Sequence, residues 1–476
     1  MTSGMNFWNT GVWSFVITMT ILFGAMMFAN ILRNLVPAIR RLMIPSSVLG
    51  GFLLLLAEEL WQAVMGTPLF NTATLEMITY HGLGLGFVAM SLRNTEKNKS
   101  TSKGPGAFDA GVTVVAGYLI QALVGLVITI GLSFVLDNFF ASGILLPMGY
   151  GQGPGQAYNW GRTYENTFGF EGGTSFGLTI AAMGFVAASV GGVIYLNWMR
   201  RKGLFSGETG KDVVDEHLTA DTITAPGEIP LSESMDKFTV QLALVFLAYS
   251  MAYAFMYGVN KIIETGVLGN FGVNTVQPLI WGFNFLFGTI FALLLKTVLK
   301  LLKKKGVIRR EYTNNFLQNR ISGFMFDCMV VASIAAIDLS AFAHPTFIVP
   351  LSILCVVGAV VTYWYLNLVC KKVFTPYRHE AFLSLYGMQT GTASTGVILL
   401  REIDPKFESQ ASANLVYHQP WAIVFGFPMM LLMSFAPQSL SNALITLGVV
   451  MALFAVMNFI SFRKYLFKKE KTAKKG

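Results

Sequence analysis

Charge is scarce in this sequence. Only 12% of its 476 residues are charged, about half the share usual in a soluble domain. With 54% of residues hydrophobic and a mean hydropathy of +0.57, a soluble enzyme and a disordered chain are both excluded. Cysteine is nearly absent. Cys328, Cys355 and Cys370 lie in or beside apolar stretches with no CxxC spacing, so a disulfide scaffold and a zinc site are excluded and buried thiols are expected. No Gly-x-x-x-x-Gly-Lys-Ser/Thr phosphate loop is present, which argues against a primary pump. The five His are scattered, with neither HExxH nor a cluster of close Asp residues, and no Ser/His pairing stands out. A metal-dependent intramembrane enzyme is therefore disfavoured, and a serine-type one stays as a lesser alternative. Residues 1–10 carry no Lys or Arg, and the first apolar run is too long for a signal core, so it reads as a retained span.

What the chain has is apolar runs. About 20 residues cross the hydrocarbon of a bilayer. Eleven such runs are expected, at about 11–32, 46–66, 74–92, 109–136, 172–198, 238–260, 276–300, 321–341, 346–370, 411–435 and 438–461. Basic clusters follow every odd run: Arg33, Arg40 and Arg41; Arg93, Lys97, Lys99 and Lys103; Arg200 to Lys202; Lys303 to Lys305 with Arg309 and Arg310; Lys371, Lys372 and Arg378; Arg463, Lys464, Lys468 and Lys469. Short loops rich in Lys and Arg stay in the cytoplasm. The N-terminus is therefore expected outside and the C-terminus inside. The net charge of +9 reads as a topology signal, and no nucleic-acid partner is expected.

Residues 203–236 form the one long polar stretch and read as a cytoplasmic linker between two repeats, 1–202 and 237–476, the second with an extra C-terminal span. Each half runs four spans, a Gly-rich stretch and another span. The Gly-rich stretches, 140–168 and 376–408, share a pattern. Tyr150-Gly151-Gln152-Gly153-Pro154-Gly155-Gln156-Ala157 matches Tyr386-Gly387-Met388-Gln389-Thr390-Gly391-Thr392-Ala393 at Tyr, two Gly and Ala. Ala89-Met90-Ser91-Leu92 echoes Ala336-Ile337-Asp338-Leu339. Two similar halves of opposite orientation characterise inverted-repeat secondary transporters.

Irregular backbone at membrane depth survives only when buried in protein or lining a wet cavity. Each Gly-rich stretch is therefore read as a re-entrant hairpin, one entering from outside and one from inside, with tips meeting near the middle. Helix N-termini there suit a carboxylate. Freed carbonyls and Thr, Ser or Gln oxygens suit Na⁺. The plainer alternative is a pair of surface loops, and two matched stretches in inverted positions weigh against it.

At these stretches the sequence resembles the bacterial sodium/glutamate symporter family. Gly151 to Ala157, then Trp160-Gly161 and Gly169-Phe170, look like the family's first hairpin, where typical members read Gly-Gly-His-Gly-Thr before a Trp-Gly and a Gly-Phe. Thr390-Gly391-Thr392-Ala393 looks like the second, typically Thr-Pro-Thr-Ala. Arg401-Glu402 and Asp404-Pro405 resemble the charged turn that closes it. This chain departs from the pattern at Gln152, Pro154 and Gly391. The resemblance implies an all-α fold, Na⁺-coupled uptake of L-glutamate by a core moving against a scaffold, a homodimer in the bacterial inner membrane, and no cofactor beyond Na⁺. The departures leave another carboxylate open, a dicarboxylate or hydroxycarboxylate carried with Na⁺ or H⁺. A channel would use similar carbonyl-lined segments.

Candidate substrate and ion contacts are Gly151, Gln152, Gly153, Pro154, Gly155 and Gln156 in the first stretch. In the second they are Gln389, Thr390, Gly391, Thr392 and Ser394, with Asn159 and Thr395 nearby. Backbone carbonyls with Thr390 and Thr392 are the expected Na⁺ ligands. The competing role for these polar groups is to satisfy the freed backbone. Asp327 and Asp338, read as three turns apart on the eighth span, would face one side. Carboxylates in a span point to function, unless they sit near its end. Glu58 and Glu59 point apart on the second span. Arg162 and Arg401 are read as salt bridging with Glu165 and Glu402. His81 and His418 are read as packing residues, and Gly82, Gly84 and Gly86 as marking a tightly packed or broken third span.

Overall fold

The computed structural model describes residues 8–94, 105–204, 235–405 and 409–473. Most of the expected linker, along with Lys97, Lys99, Lys103 and residues 406–408, lies outside the described residues. Every regular element described is helical, and no strand is present among the described residues. Ten helices, between 20 and 31 residues long, are long and apolar enough to cross a membrane. At 1.5 Å per residue, about 20 residues reach 30 Å.

The helices include α1 (Thr10–Leu35), α2 (Ser46–Met65), α3 (Thr72–Leu92), α4 (Pro105–Leu136), α5 (Leu146–Tyr150), α6 (Pro154–Phe168), α7 (Gly173–Arg201) and α8 (Lys237–Glu264). They continue as α9 (Asn284–Lys304), α10 (Asn315–Ala335), α11 (Pro345–Val373), α12 (Arg378–Thr390), α13 (Ala393–Arg401), α14 (Gln419–Phe435) and α15 (Leu440–Ala473). Helix starts follow local chemistry. Asn9, Asn71, Asp236 and Asn314 each accept a backbone N–H of the first turn, as capping side chains do. Gly66 ends α2 in a left-handed conformation, open to glycine without a side-chain clash.

Three of the expected spans are built differently. The eighth, at 321–341, is the helix α10, which ends at Ala335. It is not among the ten, because Asn315, Gln318, Asn319, Arg320 and Asp327 make it too polar. Asp338 lies beyond the helix, exposed, and caps a 3₁₀ turn at Leu339–Ala343 through Ser340 N–H. The expected shared helical face of Asp327 and Asp338 therefore does not exist. Asp competes for nearby backbone N–H groups and so favours such turns. The seventh, at 276–300, is interrupted at Phe283, where a short helix at Gln277–Gly282 gives way to α9. The tenth, at 411–435, divides at His418 into Gln410–Tyr417 and α14, whose second residue is Pro420. Proline suits a first helical turn and disrupts a helix interior.

Burial sorts the helices. In the apolar window of α7, 67% is buried in protein, against 17% in α1 and in α9. A helix apolar all round is at home either in a core or in lipid; α7 takes the core, α1 the periphery. The third span is continuous, and its glycines let neighbours in. A Cβ at Gly84 would overlap the Tyr249 ring, one at Gly86 the Phe326 ring. The tightly packed alternative is the correct one. All three cysteines are buried free thiols. At one end of α4, Asp109 receives Arg463 Nη2 and Lys464 Nζ, each at 2.7 Å, which fastens α15 to it.

Candidate functional site

Two interruptions lie at the centre. The first falls between α5 and α6. The chain turns through Gly151-Gln152-Gly153, and Gly151 and Gln152 N–H both donate to Pro147 O, at 3.0 and 3.1 Å. Gly153 has φ +85° and ψ −177°, a region open essentially only to glycine. Pro154 then presets the first turn of α6. The second interruption falls between α12 and α13. Gly391 has φ −133° and ψ −106°, and Thr392 is extended.

The two interruptions touch. A Cβ on Gly153 would stand 3.4 Å from Thr392 Cγ2 and 3.7 Å from Gly391 O. Gly153 and Thr392 are the residues from which α6 and α13 begin, and neither helix start has a side-chain cap. Two helix N-termini with free N–H groups therefore open at one place. The sequence-derived tip residues thus come together. Around the contact, Gln152 and Thr392 are half-buried, and Ala393 and Ser394 are exposed.

The other candidates divide between bland and open roles. Thr390 is fully buried, and its hydroxyl donates to Tyr386 O at 2.7 Å. Gln389, also fully buried, places Nε2 3.3–3.4 Å from the Val114 and Thr113 carbonyls of α4. Its Oε1 has no hydrogen-bond partner, and neither do Gln156 Oε1 and Asn159 Oδ1. Unpaired buried amide oxygens are costly. Gly155 fits against Leu83 of α3. Thr392 Oγ1 and Thr395 Oγ1 lie 3.4 Å apart.

The carboxylates stand away from this contact or have other partners. Asp327 is on α10, at an exposed position. Asp338 N–H donates to Ser175 Oγ at 3.0 Å. Glu58 accepts Leu69 N–H at 2.9 Å and Glu59 is exposed. Arg162 pairs with Glu76 of α3 at 3.3 Å, rather than with Glu165, which accepts Thr174 N–H instead. Tyr158 OH joins the same Glu76 at 3.2 Å. His81 meets Tyr249 OH at 3.1 Å, and His418 meets Asn414 O at 2.9 Å. Both make hydrogen bonds, His81 at an exposed position and His418 at a buried one. Among the described residues, no group of three or more His, Cys, Asp or Glu could hold a metal ion.

Several residues of the centre were missed from sequence. Gln121 of α4 donates to both Thr362 Oγ1 of α11, at 3.0 Å, and Gln389 O, at 2.9 Å. The interruption at Phe283 exposes Gly282 O, approached by Asn159 Nδ2 at 3.3 Å and Gln156 Nε2 at 3.5 Å. Lone polar residues such as Gln121 and Asn284, inside otherwise apolar runs, were the available signal. The two matched tyrosines also act reciprocally. Tyr150 OH donates to Cys355 O of α11 at 2.6 Å, and Tyr386 OH to Ala187 O of α7 at 3.0 Å. Each half's tyrosine anchors on the other half.

Compared with protein-family models, with curated proteins and with solved structures, the chain has no match.

Proposed function

We propose that this chain is a Na⁺-coupled symporter that takes up L-glutamate by alternating access, a divergent member of the sodium/glutamate symporter family it resembles. One observation carries the reading: α6 and α13 begin uncapped at touching residues, Gly153 and Thr392. Free N–H groups and the positive ends of two helix dipoles suit a carboxylate at that point. In this reading Gln152 and Ser394 add donors to the substrate. Gly391 O and the Thr392 and Thr390 hydroxyls supply oxygen to Na⁺. The interruptions are the tips of two re-entrant hairpins entering from opposite sides. Repeats 1–202 and 237–476 are inverted copies, and the reciprocal tyrosine anchors fit that relation. The basic clusters set the N-terminus outside and the C-terminus in the cytoplasm of a bacterial inner membrane. A homodimer supplies the fixed scaffold.

A second reading, uptake of another small carboxylate, is favoured by Gln152, Pro154 and Gly391. Gln in place of His changes the donors beside the helix ends. The test is uptake of labelled L-glutamate into liposomes holding the purified protein, with and without an inward Na⁺ gradient. Saturable uptake that needs Na⁺ is expected. No glutamate uptake, with Na⁺-driven uptake of a dicarboxylate or hydroxycarboxylate, selects the second reading. Non-saturating flux of either would indicate a channel.

A further inference from the structure

We infer that a groove between α11 and α4 is a binding site for an anionic phospholipid. One face of α11 presents Val356, Val360, Trp364 and Leu368, each at least half exposed. Their spacing of four residues keeps them on one side of the helix. The same face runs on to Lys371 and Lys372, both exposed, in the last turn. Ile120 of α4 forms the opposite wall, and the cavity between holds about 570 Å³. The site therefore has a long apolar trough and a cationic end.

That pattern matches one occupant. Acyl chains suit the trough, since any apolar chain gains by lying against Val360, Trp364 and Leu368. A zwitterionic lipid would do this equally well. The lysines break the tie. Lys372 is held by Tyr465, with Nζ 3.0 Å from the phenol oxygen and 4.4 Å from the ring centre. Lys371 makes no ion pair among the described residues, so its ammonium is available to a phosphate at the headgroup level. Basic pockets between membrane helices recognise anionic headgroups in this way. Trp364 lies two turns inward of Lys371, the depth at which indole rings settle near an interface. A second copy of the chain would meet two uncompensated lysines here, which disfavours a subunit interface on this face.

The experiment is native mass spectrometry of the full-length purified protein offered equal phosphatidylglycerol and phosphatidylcholine. Retention of phosphatidylglycerol over phosphatidylcholine is expected. Lys371→Glu should weaken that retention about five-fold or more, from the usual contribution of one basic residue at the headgroup surface. Lys371→Arg should keep it, and Lys202→Glu, at the end of α7, should leave it unchanged. All three variants should melt like the parent protein. Equal retention of both lipids, or equal loss in Lys202→Glu, overturns the proposal. So does disulfide cross-linking between copies through Trp364→Cys in liposomes, which would make this face a subunit contact.

Discussion

The two interruptions at the centre make the same kind of break by different means. At the first, Gly153 is required by its own backbone: φ +85° admits essentially no side chain, yet the space beside it is ordinary van der Waals distance. At the second, Gly391 has a negative φ, and crowding is the constraint. A Cβ there would stand 2.9 Å from Thr395 Oγ1, 3.1 Å from Gly387 O and 3.2 Å from Phe185 Cδ1. The first break is therefore set locally, and the second by its neighbours. A glycine at a break in a helix can thus be required for unlike reasons.

That contrast can be broken by substitution. The largest effect is expected from Gly153→Ala, with about 1–3 kcal/mol lost from backbone strain and uptake reduced at least about ten-fold, as the helix start moves off target. Thermal melts and liposome uptake measure both, and no second substitution nearby should rescue it. A parent-like melt would remove the backbone requirement. Next comes Gln121→Leu, which strips hydrogen bonds from the buried Gln389 carbonyl and Thr362 hydroxyl, at about 1–3 kcal/mol. If it melts like the parent, the bridge between α4, α11 and α12 is idle.

Gly391→Ala should cost about 1 kcal/mol by overpacking. Because part of its clash is with the Thr395 hydroxyl, combining it with Thr395→Ala should cost less than the two single changes added together. Strict additivity would mean that Thr395 is not the obstacle and that the two breaks are alike after all. The smallest change in stability is expected from Thr392→Ala and Ser394→Ala. These residues are at least partly exposed, so their melts should stay within about 0.5 kcal/mol of the parent. The KM for L-glutamate should rise in both. An unchanged KM in both would separate the contact between the breaks from substrate binding.

The fold is legible in the amino-acid sequence where one force dominates. Hydrophobic length located ten helices, and the motif at Tyr150 and Tyr386 located both interruptions. The fold is less legible where a local hydrogen bond competes with a helix. Asp338 sits in an apolar context that suggests a span, yet its side chain caps Ser340 and the helix has already ended. Gly282-Phe283 carries no proline and no motif, and the neighbouring lone polar Asn284 is the one local sign of the freed carbonyl that Asn159 approaches. Gln389 and Thr390 were legible as tip residues. The buried bonding of Gln389 to α4 depends on packing between helices far apart in sequence, whereas that of Thr390 to Tyr386 stays within α12.

The reciprocal tyrosines carry a consequence for biosynthesis. Tyr150 leaves the ribosome 205 residues before the carbonyl it bonds. At usual elongation rates that delay is about 10–40 s. Throughout it, the first half sits in the bilayer with a phenol and an interrupted helix awaiting partners not yet translated. Tyr386 arrives to find Ala187 already in place. The newborn first half is thus an unfinished template, which the second half completes in order, first at Cys355 and then at Tyr386.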